Sequence, residues 1–218
     1  MKNIKTKLLI TLLILAVSAA LFIFLQVRRI TPGREAGNSP PVGAAAPDFS
    51  VPDSKGKMQS VSQYKGKYVV LEWFNPECPF VKKHYGSGNM QKLQDEFTGK
   101  DIVWLTIDSS APGKQGHLTA EEANEKITKL KMKSTALVLD TQGTAGQTYG
   151  AKNTPHMFIV NPEGKIVYQG AIDSHNSTNA ADIPSATNYV KVALEESLAG
   201  KPVSLAITRP YGCSVKYN

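Results

Sequence analysis

The sequence predicts an α/β domain with a mixed central sheet flanked by helices, preceded by a single N-terminal transmembrane helix. Three observations predict it. Short β-branched and aromatic runs alternate with segments whose apolar residues recur at helical spacing. The last two runs are joined by a hairpin signal, so the sheet is not wholly parallel. An uncharged stretch of bilayer-spanning length stands before the domain.

Taken from the amino terminus, residues 8–27 (LLITLLILAVSAALFIFLQV) carry no charge and are long enough to cross a bilayer as one helix. A cleaved secretory signal is the competing reading, because AVSAA (16–20) offers small residues for cleavage. Cleavage there leaves LFIFLQV at the new terminus, and the apolar run exceeds the ~7–15 residues of a signal core. Residues 1–30 therefore read as a membrane anchor or a signal sequence. The formal net charge of +7 is concentrated beside it: Lys2, Lys5, Lys7, Arg28, Arg29 and Arg34 face only Glu35 in that stretch. Cations around an apolar span fix topology at lipid surfaces, and the remaining domain is close to neutral, which argues against a phosphate-binding face and a nucleic-acid partner. The cations nearly balance across the span, and the domain is expected outside the cytoplasm, on a periplasmic or extracytoplasmic side. Residues 31–46, rich in Gly, Pro and Ala, read as a mobile linker, and residues 47–218 as the folded domain. Two cysteines are too few for a disulfide framework and identify no redox compartment.

Within the domain, KYVVLEWF (67–74) reads as a strand buried on both faces. Met90, Leu93 and Phe97 recur at helical spacing; DIVWLTI (101–107) is the next strand, and Ala123, Ile127 and Leu130 form the stripe of the next helix. Thr119 with Glu122 supplies its capping box. TALVL (135–139) and HMFIV (156–160) are further strands. The second is joined to KIVYQGAI by NPEG, which suits a type I turn with Pro162 at its second position. Val190, Leu194 and Leu198 mark a last helix, ended by Gly200 and Pro202.

Cys78 falls at the carboxyl end of the first long strand, where a helix begins. Pro79 suits the first helical position, where its missing N–H has no duty, and this puts Cys78 at the N-cap. A thiol there meets the positive end of the helix and unpaired N–H groups, both of which favour thiolate. A buried structural cysteine is the plain alternative. Pro76 and Pro79 mark a constrained turn, and open α/β sheets bind ligands at strand carboxyl ends, so a reactive sulfur open to solvent is expected. Glu72, between Leu71 and Trp73, is either a desolvated carboxylate suited to general-base work or an edge carboxylate facing water. Lys82, Lys83 and His84 either add positive potential or are solvated helix charges. His156 either faces Cys78 or is an ordinary hydrogen-bonded histidine.

Taken together, GAAAPDFSV, WFNPECPFVKKH, NTPHMFIVNPEGKIVYQGAID and YGCSVKY resemble segments of the thioredoxin-fold redoxins, in particular the peroxiredoxin-like branch of the alkyl hydroperoxide reductase and thiol-specific antioxidant superfamily. The resemblance spans residues 42–217. It implies a thioredoxin-like fold and a membrane-tethered, thiol-dependent oxidoreductase or antioxidant protein that reduces a peroxide or a disulfide and exchanges electrons with a thiol or disulfide partner protein. It implies Cys78 as the attacking thiol and Glu72 as the carboxylate that manages its proton. Thr154 and Pro155 match the loop facing that thiol, where the proline is typically cis and the preceding backbone pairs with substrate. Asn75 and Pro79, which bracket Cys78 in the turn, complete the candidate substrate-binding set.

The sequence also departs from its relatives. Thioredoxins carry a second cysteine three residues after the first; Val81 stands there, so no local disulfide forms. Peroxiredoxins carry Thr or Ser three residues before the cysteine, where Asn75 stands, and an arginine nearby; the only arginine after residue 34 is Arg209, close to the carboxyl terminus. A sulfenic acid at Cys78 needs a resolving thiol. Cys213 supplies one if the tail brings the α-carbons within about 7 Å; otherwise it is a free or structural thiol, or pairs with another chain. Copper carriers of this fold use two cysteines four residues apart, but Lys82 holds that spacing, and one thiol with His84 or His156 is a poor metal set. A binding module that has lost its dithiol is the third class. No glycine-rich nucleotide loop is present, so no organic cofactor is implied.

Overall fold

In the computed structural model, which describes residues 39–218, the chain opens on a hairpin of two short strands, β1 (Val51–Pro52) and β2 (Met58–Gln59). The first long apolar run then forms β3 (Val69–Trp73), buried at every residue. Helices α1 (Pro79–Gly86) and α2 (Asn89–Thr98) follow, then β4 (Val103–Asp108), α3 (Ala120–Lys129), β5 (Ala136–Leu139) and α4 (Thr144–Tyr149). The second half comprises β6 (Asn153–Thr154), β7 (His156–Val160), β8 (Ile166–Gly170), α5 (Tyr189–Leu198) and β9 (Cys213–Ser214).

The central sheet has the order β5-β4-β3-β7-β8. β4 runs parallel to β3 and β5 parallel to β4, while β7 runs antiparallel to β3 and β8 antiparallel to β7. The turn between β7 and β8 closes through Gly164 N–H to Asn161 O at 2.9 Å, as the NPEG signal predicts. Thr119 and Glu122 form the reciprocal capping box of α3. This mixed sheet with helical cover is a thioredoxin-like fold.

Side chains alternate across the sheet, so residue parity decides which layer each one joins. Val70 and Phe74 pack with Met157 and Ile159 against α1, α2, α3 and α5. Leu71 and Trp73 pack with Leu105, Ile107 and Phe158 against Phe49, Val51 and the α4 residues Ala145 and Tyr149. Burying a side chain of this kind contributes about 1.5–3 kcal/mol, and the fully covered aromatic pair Trp73 and Phe158 lies 5.4 Å apart edge to face.

Two features differ from expectation. Residues 43–46, read as the end of the linker, instead pair with the open edge of β8: Gly43 N–H donates to Ile166 O at 2.8 Å and Ile166 N–H to Ala44 O at 3.0 Å. An edge strand presents unpaired backbone groups, and this segment satisfies them. Helix α4 carries too short a pattern to read in advance, and it is fixed by Asp140, which accepts from the N–H groups of Ala145 and Gly146. Among the described residues no helix is long and apolar enough to cross a membrane. The apolar run at residues 8–27 lies outside the described residues.

Candidate active site

β3 delivers the chain to the site. After Trp73 the backbone turns at Asn75, whose O accepts from Cys78 N–H at 3.1 Å, and Lys82 N–H closes the first helical bond to Cys78 O at 2.9 Å. Cys78 is the N-cap of α1, extended at φ −65° and ψ 124°, with the exposed Pro79 at the first helical position. The turn itself is held by Asn75, whose amide accepts from Glu77 N–H at 2.8 Å and donates to Gln115 O at 3.0 Å. Asn75 is buried, and both ends of its amide serve the loop.

The proline loop and the tail meet over this cysteine. The Thr154–Pro155 peptide is cis, and the Cys78 thiol donates to Thr154 O at 3.0 Å. β6 pairs antiparallel with β9, with Thr154 opposite Cys213 and Asn153 opposite Ser214. Asn153 Nδ2 donates to Gly212 O at 2.9 Å and Val215 N–H to Lys152 O at 3.1 Å, which extends the pairing on both sides. Gly212 is required there: at φ +124°, a Cβ would stand 2.1 Å from Thr154 O. Further along, Ala111 N–H donates to Lys216 O at 2.8 Å, and the Tyr217 hydroxyl to Ala151 O at 2.9 Å.

This seating brings the two cysteines into side-chain contact, and both are free thiols. Burial works against ionisation of Cys78, but hydrogen bonds from the Cys213 thiol, the Thr154 hydroxyl and the N–H groups of Val81 and Cys213 outweigh it and hold the Cys78 pKa below the ordinary thiol value. Cys213 is shifted the opposite way, to about 11, by burial and by its hydrogen bond and charge interaction with Cys78, opposed by Lys216. Cys78 is only 1% exposed, so the expectation of a sulfur open to solvent is corrected. Cys78 belongs to the buried cluster that holds Phe74, Val81 and the tail residue Tyr211, with Cys213 packed against it.

Glu72 lies on the same sheet face as Val70 and Phe74, beneath α1 and α2. Its carboxylate accepts from Tyr85 OH at 2.9 Å, Gln94 Nε2 at 3.1 Å, Trp104 Nε1 at 2.7 Å and Thr106 Oγ1 at 3.1 Å. Burial raises its pKa against the pull of these four donors. Cys78 is not among its hydrogen-bond partners. The reading of Glu72 as an edge carboxylate facing water is excluded by its complete burial. His156 stands opposite Trp73 in the β3–β7 register and stacks on Phe158 at 4.6 Å, placing it in the other layer. Burial, helped by Lys152, holds its pKa down at about 3.

A second buried cluster was not anticipated. Lys83 and His84, read as solvated helix charges or a source of potential at the site, are buried, while Lys82 is exposed. Lys83 Nζ lies 3.5 Å from Asp173 Oδ2 and donates to His175 O at 3.0 Å, and His84 Nε2 lies 3.7 Å from the same carboxylate oxygen. Burial drives the His84 pKa down to about 4, against the pull of Asp173. Tyr211 OH donates to Asp173 Oδ1, tying the tail two residues before Cys213 to the helix that begins at Cys78. The one advance signal was YGC itself, an aromatic anchor and a glycine directly before the cysteine.

Beside the cysteines opens a cavity of about 890 Å³ whose walls include Phe80, Lys152, Asn153, Arg209, Tyr211 and Gly212. Arg209 is thus brought to the neighbourhood of the site by the folded-back tail. Among the described residues, no group of three or more His, Cys, Asp or Glu side chains could hold a metal ion.

The family model described as AhpC/TSA family matches residues 42–169, more than half of the chain. Cys213 lies beyond that match. The thiol-disulfide oxidoreductase ResA of Bacillus subtilis (strain 168) is 28% identical over 125 residues, which cover 57% of this chain and 64% of the relative, less than two thirds of its length. Among solved structures, a hypothetical protein of Sinorhizobium meliloti 1021 superposes with a TM-score of 0.70 at 22% identity, covering 83% of this chain and 97% of the other. An uncharacterised conserved protein of Geobacillus kaustophilus gives a TM-score of 0.68 at 22% identity, covering 82% and 93%. Both likenesses establish the fold alone.

Proposed function

The chain belongs to the AhpC/TSA family, and on that premise we propose that it is a thiol-dependent oxidoreductase in which Cys78 attacks and Cys213 resolves. The observation that carries this reading is the contact between the two sulfurs, with Thr154 opposite Cys213 and a Cys78 pKa lowered at the expense of its neighbour. The ResA similarity supports disulfide chemistry.

The Cys78 thiolate attacks one sulfur of a substrate disulfide. The substrate S–S bond breaks, a mixed disulfide with Cys78 forms, and the other half leaves as a thiolate that takes a proton from water. Cys213 then gives up its proton and attacks the Cys78 sulfur. The Cys78–Cys213 bond forms, the second substrate half leaves as a thiol, and two electrons have passed from protein to substrate. A dithiol partner protein returns them by the same exchange in reverse. The proton held between the sulfurs is the one that must leave before resolution, so ionisation and resolution are linked.

Thr154 fixes Cys78 through its carbonyl and hydroxyl, Pro155 shapes that loop, and Pro79 sets the helix start. Glu72 acts as a positioning group that ties β3, β4, α1 and α2 together; no direct proton transfer from Cys78 is assigned to it. Hydrogen peroxide is the second reading, supported by the 1% exposure of Cys78, because a small oxidant can reach a sulfur that a folded protein cannot while the tail is seated. Attack on peroxide gives Cys78 sulfenic acid and water, and Cys213 converts the sulfenic acid to the same disulfide with loss of a second water. The same proposal puts the domain outside the cytoplasm on a membrane tether, a reading supported by the uncharged run at residues 8–27 and the cations that flank it.

The test is turnover of hydroxyethyl disulfide and of hydrogen peroxide by wild type, Cys78→Ser and Cys213→Ala, with an external dithiol as reductant. Cys78→Ser is expected to abolish both activities, and Cys213→Ala to accumulate Cys78 as a mixed disulfide or sulfenic acid. Undiminished activity in Cys78→Ser would sink the reading. Co-sedimentation of the full chain with membranes, and its loss on deleting residues 1–30, checks the tether.

A further inference from the structure

Resting on the oxidoreductase reading, we infer that the cavity beside the dithiol is the binding site for small disulfides that carry carboxylates, and that Arg209 and Lys152 set this preference. The cavity of about 890 Å³ falls in the ~300–1,000 Å³ range of small-molecule sites. Its position ties it to the chemistry. Asn153 and Gly212 in its wall each directly precede one of the paired residues Thr154 and Cys213, and Phe80 follows Cys78 by two. Gly212 contributes no side chain to that wall, and its backbone lies against Thr154 O, the acceptor of the Cys78 thiol.

Charge decides the ligand class. The one carboxylate in the wall, Asp173, is already engaged: Oδ1 accepts from Tyr211 OH and from His175 N–H at 3.0 Å, and Oδ2 faces Lys83 at 3.5 Å. Lys152 and Arg209 are exposed, and among the described residues neither side chain makes a hydrogen bond or ion pair. Two unpaired cations in one concavity favour an anion, and a guanidinium matches a carboxylate in two-point geometry. Phe80 and Tyr211, 5.7 Å apart, supply an apolar wall for the body of the ligand. The redox step is the exchange written above; the cavity holds the carboxylate while the substrate S–S bond is attacked.

The test uses the reduced full chain, freed of reductant, in single-turnover oxidation by dithiodipropionate, hydroxyethyl disulfide and cystamine, which are anionic, neutral and cationic. Arg209→Gln and Lys152→Gln are each expected to slow the anionic disulfide about five- to tenfold, leave the neutral one within twofold and speed the cationic one. The anionic preference should fade at high salt. Equal effects on all three disulfides, or none, would overturn the inference. Binding of unreactive propionate to Cys78→Ser, followed by NMR titration, separates the two levels. Saturable binding weakened by Arg209→Gln supports the site even if no disulfide is turned over, a result that would instead defeat the disulfide-reductase reading. Turnover of all three disulfides with no saturable propionate binding would defeat the site alone.

Discussion

Cys78 and Cys213 touch, yet their surroundings push them in opposite directions. Cys78 sits at a helix N-terminus among donors and is held toward thiolate. Cys213 lies on a two-residue strand, and burial, with the hydrogen bond and charge of its neighbour, raises its pKa to about 11. Two identical functional groups in one site therefore differ in acidity, and the proposed roles follow from that difference: the donor-rich sulfur to attack, the proton-holding one to resolve. What distinguishes them is backbone placement, since no second cysteine stands three residues after the first.

The asymmetry can be broken from either side. Cys78→Ser should have the largest effect, a loss of about a thousandfold or more in disulfide turnover, because a hydroxyl is not ionised near neutral pH. Gly212→Ala comes next. Its Cβ would collide with Thr154 O, so the tail must shift, and a displacement near 1 Å can cost about a hundredfold in an oriented reaction. Quenched-flow mass analysis of Cys78–Cys213 bond formation after oxidation reads this loss. A smaller effect sharpens the contrast in ionisation. The rate of Cys78 alkylation against pH should inflect below the ~8.5 of a free thiol in wild type. In Cys213→Ala a donor to the thiolate is gone, the inflection moves up, and the rate below it falls several-fold; a downward shift would contradict the assigned hydrogen bond. Lys82→Ala should change the same rate less than twofold, since Lys82 is exposed and screened. A large effect there would mean that the potential at Cys78 comes from helix charges rather than from the tail.

The parts of this site that were legible in the sequence are those written in local patterns. Pro79 after a buried apolar run marked the strand-to-helix turn, and Cys78 is the N-cap. A carboxylate between Leu71 and Trp73 leaves burial and an exposed edge both open at Glu72, and its four donors come from α1, α2 and β4, which no spacing rule connects. His156 follows Pro155, yet strand parity turns it to the layer away from Cys78. Lys83 and His84 read as surface charge because their partner, Asp173, is ninety residues away. The closure of Cys78 is illegible in the sequence for a similar reason. β6 and β9 are two residues each, too short for any periodicity, and only the folded tail reveals that they pair.

The pairing of the two sulfurs is tested most directly by adding one equivalent of oxidant to the fully reduced chain and mapping disulfides without reduction. The account predicts a monomer carrying a single Cys78–Cys213 linked peptide pair, reversed by dithiol. Recovery of Cys78 and Cys213 in separate adducts, or only in links between chains, would contradict it.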